Sequence, residues 1–295
     1  MQDAIESLTV HGARVRAGQL RLAALVALVA CNGHATPHAH RAGSDVRVVS
    51  LHDVTTEIVV ALGAEKQLVG VAEPVDTTKE VKAAIGKVPR AGGLETILAL
   101  RPDVVLGLAV VAQQDPELVA RLRQAGVDVF LGSPARLEDV YGMTRAIAQR
   151  VGAVSNADKL VSALRAKAGV PRPGVARRPQ VFVYDCCDPP FTAGANTVLS
   201  DLIERAGGHN VFADVAADWT HVSWEEVVAR RPDLIVVHAY RHDGQGDVTQ
   251  KQNALRAITS LANVPVVVLP LGCSLGGLRS IEGLEKLRAA IEGLS

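Results

Sequence analysis

Aromatic side chains make up only 3% of this 295-residue chain: two Trp, three Tyr and four Phe. A site that clasps a flat ligand between several rings has few rings to draw on, because aromatic faces carry much of the contact area in such sites. Cysteine is also scarce, with four in total, too few for a disulfide-stapled scaffold. Neither charge sign is in excess: 31 basic and 31 acidic residues balance without basic clusters, which argues against a nucleic-acid partner. The apolar run Leu22–Ala30 has nine residues, well short of the roughly 20 that cross a membrane. Enzyme motifs are thin as well. There is no Cys-x-x-Cys, no His-Glu-x-x-His, no Walker loop and no Gly-x-Gly-x-x-Gly after a strand.

What is present begins with a repeat. Glu95-Thr-Ile-Leu-Ala-Leu-Arg101-Pro102-Asp103-Val-Val-Leu and Glu225-Glu-Val-Val-Ala-Arg-Arg231-Pro232-Asp233-Leu-Ile-Val stand 130 residues apart. In each copy an acidic residue opens a short apolar-periodic stretch, Pro stops it, and Asp leads into consecutive branched aliphatics. Pro biases the residue before it away from helix, and a continuous aliphatic run suits a strand covered on both faces. Two copies at domain-sized spacing predict two similar lobes with the functional site between them.

The front of the chain reads as an address. Arg14, Arg16 and Arg21 precede the short apolar run, and Leu28-Val29-Ala30-Cys31 resembles a bacterial lipobox in which the Cys31 thiol takes the lipid. Residues 1–31 are therefore expected to be a lipoprotein signal that anchors the exported protein to a membrane. Residues 32–45 are polar and aperiodic, a flexible tether whose His34, His38 and His40 lack a preorganised metal geometry. The first lobe is expected over 46–152, a linking helix over 153–170 and the second lobe over 171–295.

Strand and helix patterns alternate through the rest. Strands are predicted at 47–51, 68–71, 104–107, 127–131, 181–184, 234–237 and 266–269. Helices are predicted at about 54–62, 116–124, 137–168 with a break near Gly152 and Ser155, 197–206, 223–229, 250–261 and 281–291. This rhythm gives an α/β fold class, two Rossmann-like lobes with central parallel sheets joined by one long helix, the ligand cleft between them. Open sheets of this kind place ligands at the carboxyl ends of their strands. At those ends stand His52 and Asp53, then Cys186, Cys187 and Phe191, then His238, Tyr240 and His242, then Cys273 and Ser274. Each of these is a candidate ligand-binding residue. His52, Cys186, Cys187 and Cys273 are also candidate metal ligands, since soft thiolates and imidazoles suit Cu(I), Zn or haem iron. A disulfide between Cys273 and Cys186 or Cys187 competes with that reading, as do free buried thiols; adjacent cysteines rarely pair with each other.

Pro189-Pro190-Phe191-Thr192-Ala193-Gly194, Ala206-Gly207-Gly208-His-Asn210-Val-Phe212-Ala-Asp214 and Trp219-Thr-His-Val222-Ser223-Trp-Glu225 resemble the signature of the periplasmic binding proteins for vitamin B12 and ferric siderophores. The likeness extends from Arg47 to the C-terminus, with Thr56-Glu57 and Gly92-Gly-Leu-Glu95 included. It implies an extracytoplasmic substrate-binding component of an ABC importer, not an enzyme, working as a monomer with a permease dimer and its ATPase. The cargo it implies is a metal chelate, namely a corrinoid such as cobalamin, haem or a ferric siderophore, with no covalently required cofactor. In the B12 binders one Glu on each lobe meets arginine pockets of the transporter, and the matching positions here are Glu95 and Glu225. Phe191 and Trp219 match the rings that hold the macrocycle. Three other readings stand beside this one: a direct metal-ion binder using cleft Cys and His, a secreted thiol or metal enzyme, and an extracytoplasmic sensor.

Overall fold

The computed structural model describes residues 45–170, 177–240 and 245–294. The expected signal ending at Cys31, the tether with its His34, His38 and His40, and His242 lie outside these. In chain order, β1 (Val48–Ser50), α1 (Asp53–Ala61), β2 (Leu68–Val71), α2 (Lys79–Ala84), α3 (Leu94–Ala99), β3 (Val104–Leu108), α4 (Ala109–Gln114), α5 (Pro116–Gln124) and β4 (Asp128–Gly132) build a first sheet and its helices. Next come α6 (Leu137–Arg150) and α7 (Val154–Ala168), separated by a turn in which Gly152 has a φ of 69°. The second sheet and its helices comprise β5 (Gln180–Tyr184), β6 (Phe191–Ala193), α8 (Val198–Ala206), β7 (His209–Asn210), β8 (Trp219–His221), α9 (Trp224–Ala229), β9 (Leu234–Ala239), α10 (Gln245–Ala257), β10 (Val266–Pro270) and α11 (Ser280–Glu292).

The two main sheets are wholly parallel and follow one plan. The first runs β2-β1-β3-β4 and the second runs, in the same sense, β7-β5-β9-β10. The repeated motif explains this likeness locally. Arg101 and Arg231 both take left-handed backbone, with φ of 46° and 47°, turning the chain out of α3 and α9. The following Pro is buried in both copies. Asp103 and Asp233 then tie the new strand to the founding strand of its sheet. The Asp103 N–H donates to the Arg47 carbonyl at 2.9 Å while its carboxylate accepts the Arg47 N–H at 2.8 Å. Asp233 does the same to Gln180, at 2.7 and 2.8 Å.

Aliphatic runs are continuous because each sheet is covered on both faces. Val48 and Leu106 face a core with α1 and α6, whereas Val49 and Val105 face one with α3 and α5. In the second lobe Val181, Val183 and Val236 pack on α8 and α11, while Phe182, Tyr184 and Ile235 pack on the α9 and α10 side. The lobes also share core. Leu137, Val140 and Tyr141 of α6 and Val161 and Leu164 of α7 belong to the same buried cluster as α8 and α11. Among the described residues no helix is long and apolar enough to cross a membrane.

Candidate functional site

In each sheet the strand order reverses at the founding strand, so a crevice opens beyond the carboxyl ends of β1 and β3, and of β5 and β9. These carboxyl edges face each other. After β10, Gly272 donates its N–H to the Asp76 carboxylate at 2.7 Å, and Gly276, with a φ of 73°, lies against Pro134 beyond β4. A side chain at Gly276 would collide with that proline, so the approach of the lobes depends on glycine there.

The second lobe adds a feature the first does not have. The chain leaves β5, turns at Cys186–Pro190 and returns as β6, which pairs antiparallel with β8; Phe191 lies opposite His221 and Ala193 opposite Trp219. Side chains two apart on a strand share a face, so Phe191, Trp219 and His221 form one surface at the carboxyl edge of the sheet. Phe191 and Trp219 stack with centroids 5.9 Å apart and 25° between planes, and His221 leans on Phe191 at 4.8 Å. Phe191 and Trp219 are half-buried and His221 is exposed. Close by, a side chain at Gly194 would run into the Ala217 carbonyl, which accepts the Asn196 N–H at 3.1 Å beside the β6–β8 pair.

Behind the rings lies a buried polar stack. The Trp219 ring meets His238 edge-on at 5.8 Å. His238 Nδ1 bonds Asp185 Oδ1 at 2.6 Å, and the Ser274 hydroxyl reaches His238 Nε2 at 2.7 Å. Tyr240 donates to the other Asp185 oxygen, and Lys251 Nζ donates to the His238 carbonyl at 2.7 Å. Burial alone would raise the Asp185 carboxyl, but the hydrogen bonds from His238 and Tyr240 and the Lys251 charge outweigh it and hold it below its ordinary value. Tyr240, buried beside that carboxylate, is driven the opposite way.

Ser274, His238 and Asp185 have the connectivity of a catalytic triad, and Gly272-Cys273-Ser274-Leu275-Gly276 reads Gly-x-Ser-x-Gly. The nucleophile elbow of such enzymes is a strained turn that exposes its serine. Here Ser274 has ordinary backbone, φ −110° and ψ −8°, and 3% exposure, with His238 at 0%. The stack props Trp219 and the ends of β5, β9 and β10, and no substrate can reach its hydroxyl. The expected cleft residues His238, Tyr240 and Ser274 thus lie together beneath the ring surface.

The cysteines depart from expectation. Cys186 pairs with Cys187, and Cys273 is free, so the bridge expected from Cys273 to one of them is not formed. Cys187 takes left-handed backbone, φ 77°, and its carbonyl is held by the Tyr184 hydroxyl at 3.1 Å, which folds the tip of the loop back on itself. Cys273 is shut beneath α11, whose Gly283 passes against the Cys273 backbone. Burial, reinforced by Glu282, pushes its thiol up to about 12, so it stays neutral. His52, Cys186, Cys187 and Cys273 are therefore not assembled as a thiolate centre. Among the described residues no three His, Cys, Asp or Glu side chains are grouped to hold a metal ion.

The first lobe contributes polar groups. His52 caps α1: its Nδ1 accepts the Val54 N–H at 3.2 Å. Burial lowers its pKa against the opposing Asp53 charge. Asp53 accepts the N–H groups of Val75 and Asp76 at 2.9 and 2.8 Å, placing Asp76 at the lobe boundary. There Arg279 of the second lobe donates to the Asp76 carbonyl at 2.9 Å and lies 4.0 Å from Glu57, which also accepts from Thr77 at 2.8 Å. Burial pushes the Glu57 carboxyl up to about 7, against the Thr77 hydrogen bond and the Arg279 charge.

Glu95 and Glu225 are exposed and occupy the second residue of α3 and α9, two six-residue helices at matching places in the two lobes. Each helix runs toward the amino end of its strand, so its start, with the glutamate, sits on the rim at the cleft side. Beside Glu95 the surface dips into an open depression bounded by Thr96, Asp115 and Leu118. The sequence patterns did not single out the two three-residue strands or His221. The alternation of Trp219 and His221 across Thr220 was the available signal, and it is short.

Comparison with known proteins agrees with this architecture. The protein described as vitamin B12-binding protein of Yersinia pestis (strain Pestoides F) is 29% identical over 226 residues, covering 76% of this chain and 78% of that protein. A periplasmic binding protein from Veillonella parvula superimposes with a TM-score of 0.76 at 22% identity, over 86% of this chain and 93% of that one. The periplasmic heme-binding protein RhuT from Roseiflexus sp. RS-1 gives a TM-score of 0.69 at 25% identity, over 85% and 99%. The profile of the periplasmic binding protein family matches residues 48–270, from β1 through β10, and thus spans both sheets and the ring-bearing β6–β8 pair. The chain belongs to the periplasmic binding protein family, a family of transport binding proteins and not of enzymes.

Proposed function

We propose that this protein captures a metal chelate, a corrinoid, haem or a ferric siderophore, between its lobes outside the cytoplasm and hands it to an ABC permease with its ATPase. The observation that carries the reading is the Phe191, Trp219 and His221 surface at the carboxyl edge of the second sheet. Stacked rings propped from behind by a fully bonded polar network give a rigid, flat contact suited to a planar ligand. The relatives named for B12 and heme fit that chemistry. The paired Cys186 and Cys187 and the neutral, enclosed Cys273 speak against a thiolate site for a bare ion. Glu95 and Glu225, matched rim carboxylates without a hydrogen bond or ion pair among the described residues, suit docking to a cationic surface on the permease. In this reading Cys31 carries the lipid that keeps the protein at the membrane, and the monomer is the working unit.

The test is absorption-monitored titration of the purified protein with hemin, aquocobalamin, aquocobinamide and a ferric trihydroxamate, beside Cu(I) and Zn(II). Saturable one-to-one binding of a chelate is the expected result. Tight binding of a bare ion with no chelate bound would replace the reading with that of a metal-ion carrier.

A further inference from the structure

A disulfide stabilises a protein chiefly by closing a loop of chain, and it contributes more the more residues it spans. Cys186 and Cys187 are neighbours, so their bond closes no loop. The frame of the turn between β5 and β6 does not depend on that bond either. The Cys186 carbonyl accepts the Phe191 N–H at 2.8 Å, and the Asp185 N–H donates to the Phe191 carbonyl at 3.0 Å. On the far side of the tip, His221 Nδ1 lies 3.0 Å from the Pro189 carbonyl and the Val222 N–H donates to the Pro190 carbonyl at 3.0 Å. The segment is thus tied down on both sides without sulfur.

What the sulfur bond fixes is the tip. Cys187, with a φ of 77°, occupies the left-handed region that residues bearing a Cβ seldom enter. Held there, its carbonyl accepts from the Tyr184 hydroxyl at 3.1 Å, and the next residue, Asp188, accepts from Trp224 Nε1 at 3.1 Å. Trp224 meets the Tyr184 ring edge-on at 5.1 Å and is the first residue of α9, beside Glu225. Cys187 and Asp188 are exposed and Cys186 is half-buried, whereas Cys273 is enclosed. Thiol–disulfide exchange needs access for the attacking thiolate, and the Cys186–Cys187 bond has it where Cys273 does not.

We infer that Cys186–Cys187 is a reversible thiol–disulfide exchange site that takes a dithiol as its reductant, and that Asp188 and Trp224 pass its state to the start of α9. One thiolate of the dithiol attacks the outer sulfur, Cys187 Sγ. The S–S bond breaks with its electron pair on Cys186 Sγ, which takes up a proton. The second thiolate of the dithiol then displaces Cys187 Sγ, which is protonated in turn, and the reductant leaves as a disulfide. Two electrons and two protons have passed from the dithiol to the protein. Freed of the bond, Cys187 returns to ordinary backbone, which draws its carbonyl away from Tyr184 and Asp188 away from Trp224. The backbone ties of Cys186, Pro189 and Pro190 remain, so the strands on either side keep their places.

The experiment treats the folded protein with dithiothreitol, alkylates it with iodoacetamide and maps the labels by peptide mass, while tryptophan emission is followed; the chain has only two tryptophans. The expected result is labelling of Cys186 and Cys187 but not of Cys273, with a red shift of the emission, and the return of both the unlabelled pair and the original emission when oxidised glutathione replaces the reductant. The double variant Cys186→Ser with Cys187→Ser should show the shifted emission without reductant, Asp188→Ala should show it with the disulfide closed, and Trp224→Phe should no longer respond to reductant. Circular dichroism establishes that the variants are folded, and the wild-type arm needs no substitution. A bond that dithiothreitol opens only in denaturant would overturn the inference, as would a pair that stays as two free thiols in oxidised glutathione. Opening of the bond with unchanged emission would overturn the link to α9.

Discussion

The two lobes share a scaffold and differ in what they bring to the cleft. Both have the same strand order, the same left-handed Arg, the same buried Pro, the same Asp clasping the founding strand, and a glutamate at the second position of the same short helix. Only the second lobe carries the ring-bearing strand pair, whereas the first offers a helix-capping His52 and the buried pair Glu57 and Asp76. The repeated parts shape the lobes and their rims. The unrepeated part, β6 following β5 and β8 following β7, makes the surface that suits a ligand. Under the proposed function, a fold of this kind can change cargo by changing one strand pair while its rims stay as they are.

The largest expected effect lies in the part of the first lobe that the second does not copy. Glu57 titrates at about 7 in the folded protein against an ordinary value of 4.5. Between those values the folded state holds a proton that the unfolded chain has released. Stability that is full below about pH 4.5 is therefore lost as pH rises toward 7 and is level above it, a change of about 3 kcal/mol. Urea denaturation at pH 5 and pH 8 should show this decline, and Glu57→Gln should flatten it; an equal slope in the variant would remove Glu57 from the account.

The shared parts should behave alike. Asp103→Ala and Asp233→Ala each leave a strand N–H, of Arg47 or Gln180, without its carboxylate, at a cost of about 1–3 kcal/mol. A cost confined to one lobe would mean that the repeat is one of sequence and not of energetics. Smaller again is His52→Ala, which removes the α1 cap and should cost about 1 kcal/mol in thermal or urea melts. No loss would mean that the cap contributes nothing and that His52 is free to take another tautomer.

Much of this was legible in the sequence. Long aliphatic runs and Pro stops located every strand of the two main sheets except β7, and the Arg-Pro-Asp repeat carried the two-lobe plan. The expected α10 at 250–261 instead spans Gln245–Ala257, with Leu261 closed into a turn by Ile258. The short helices α2 and α4 escaped because six residues show little periodicity. The β6–β8 pair escaped because its strands are three residues each and 25 residues lie between the end of one, Ala193, and the start of the other, Trp219, so that only tertiary packing brings them together. Cysteine pairing was misread for a related reason. Distance between Cys273 and the Cys186–Cys187 turn is a property of the packed fold, where α11 closes over Cys273. The roles of His238 and Ser274 followed from burial, which residue type alone did not reveal.

The separation of rim from ring surface is tested most directly by a crossed comparison of two double variants, Glu95→Ala with Glu225→Ala and Phe191→Ala with Trp219→Ala. Chelate affinity in solution and uptake through the permease are measured for both. The rim pair should lose uptake by about tenfold or more and keep wild-type affinity, and the ring pair should lose about 1–3 kcal/mol of affinity for each ring removed. Equal loss of affinity in the two double variants would contradict the account, because it would put ligand and docking on the same surface.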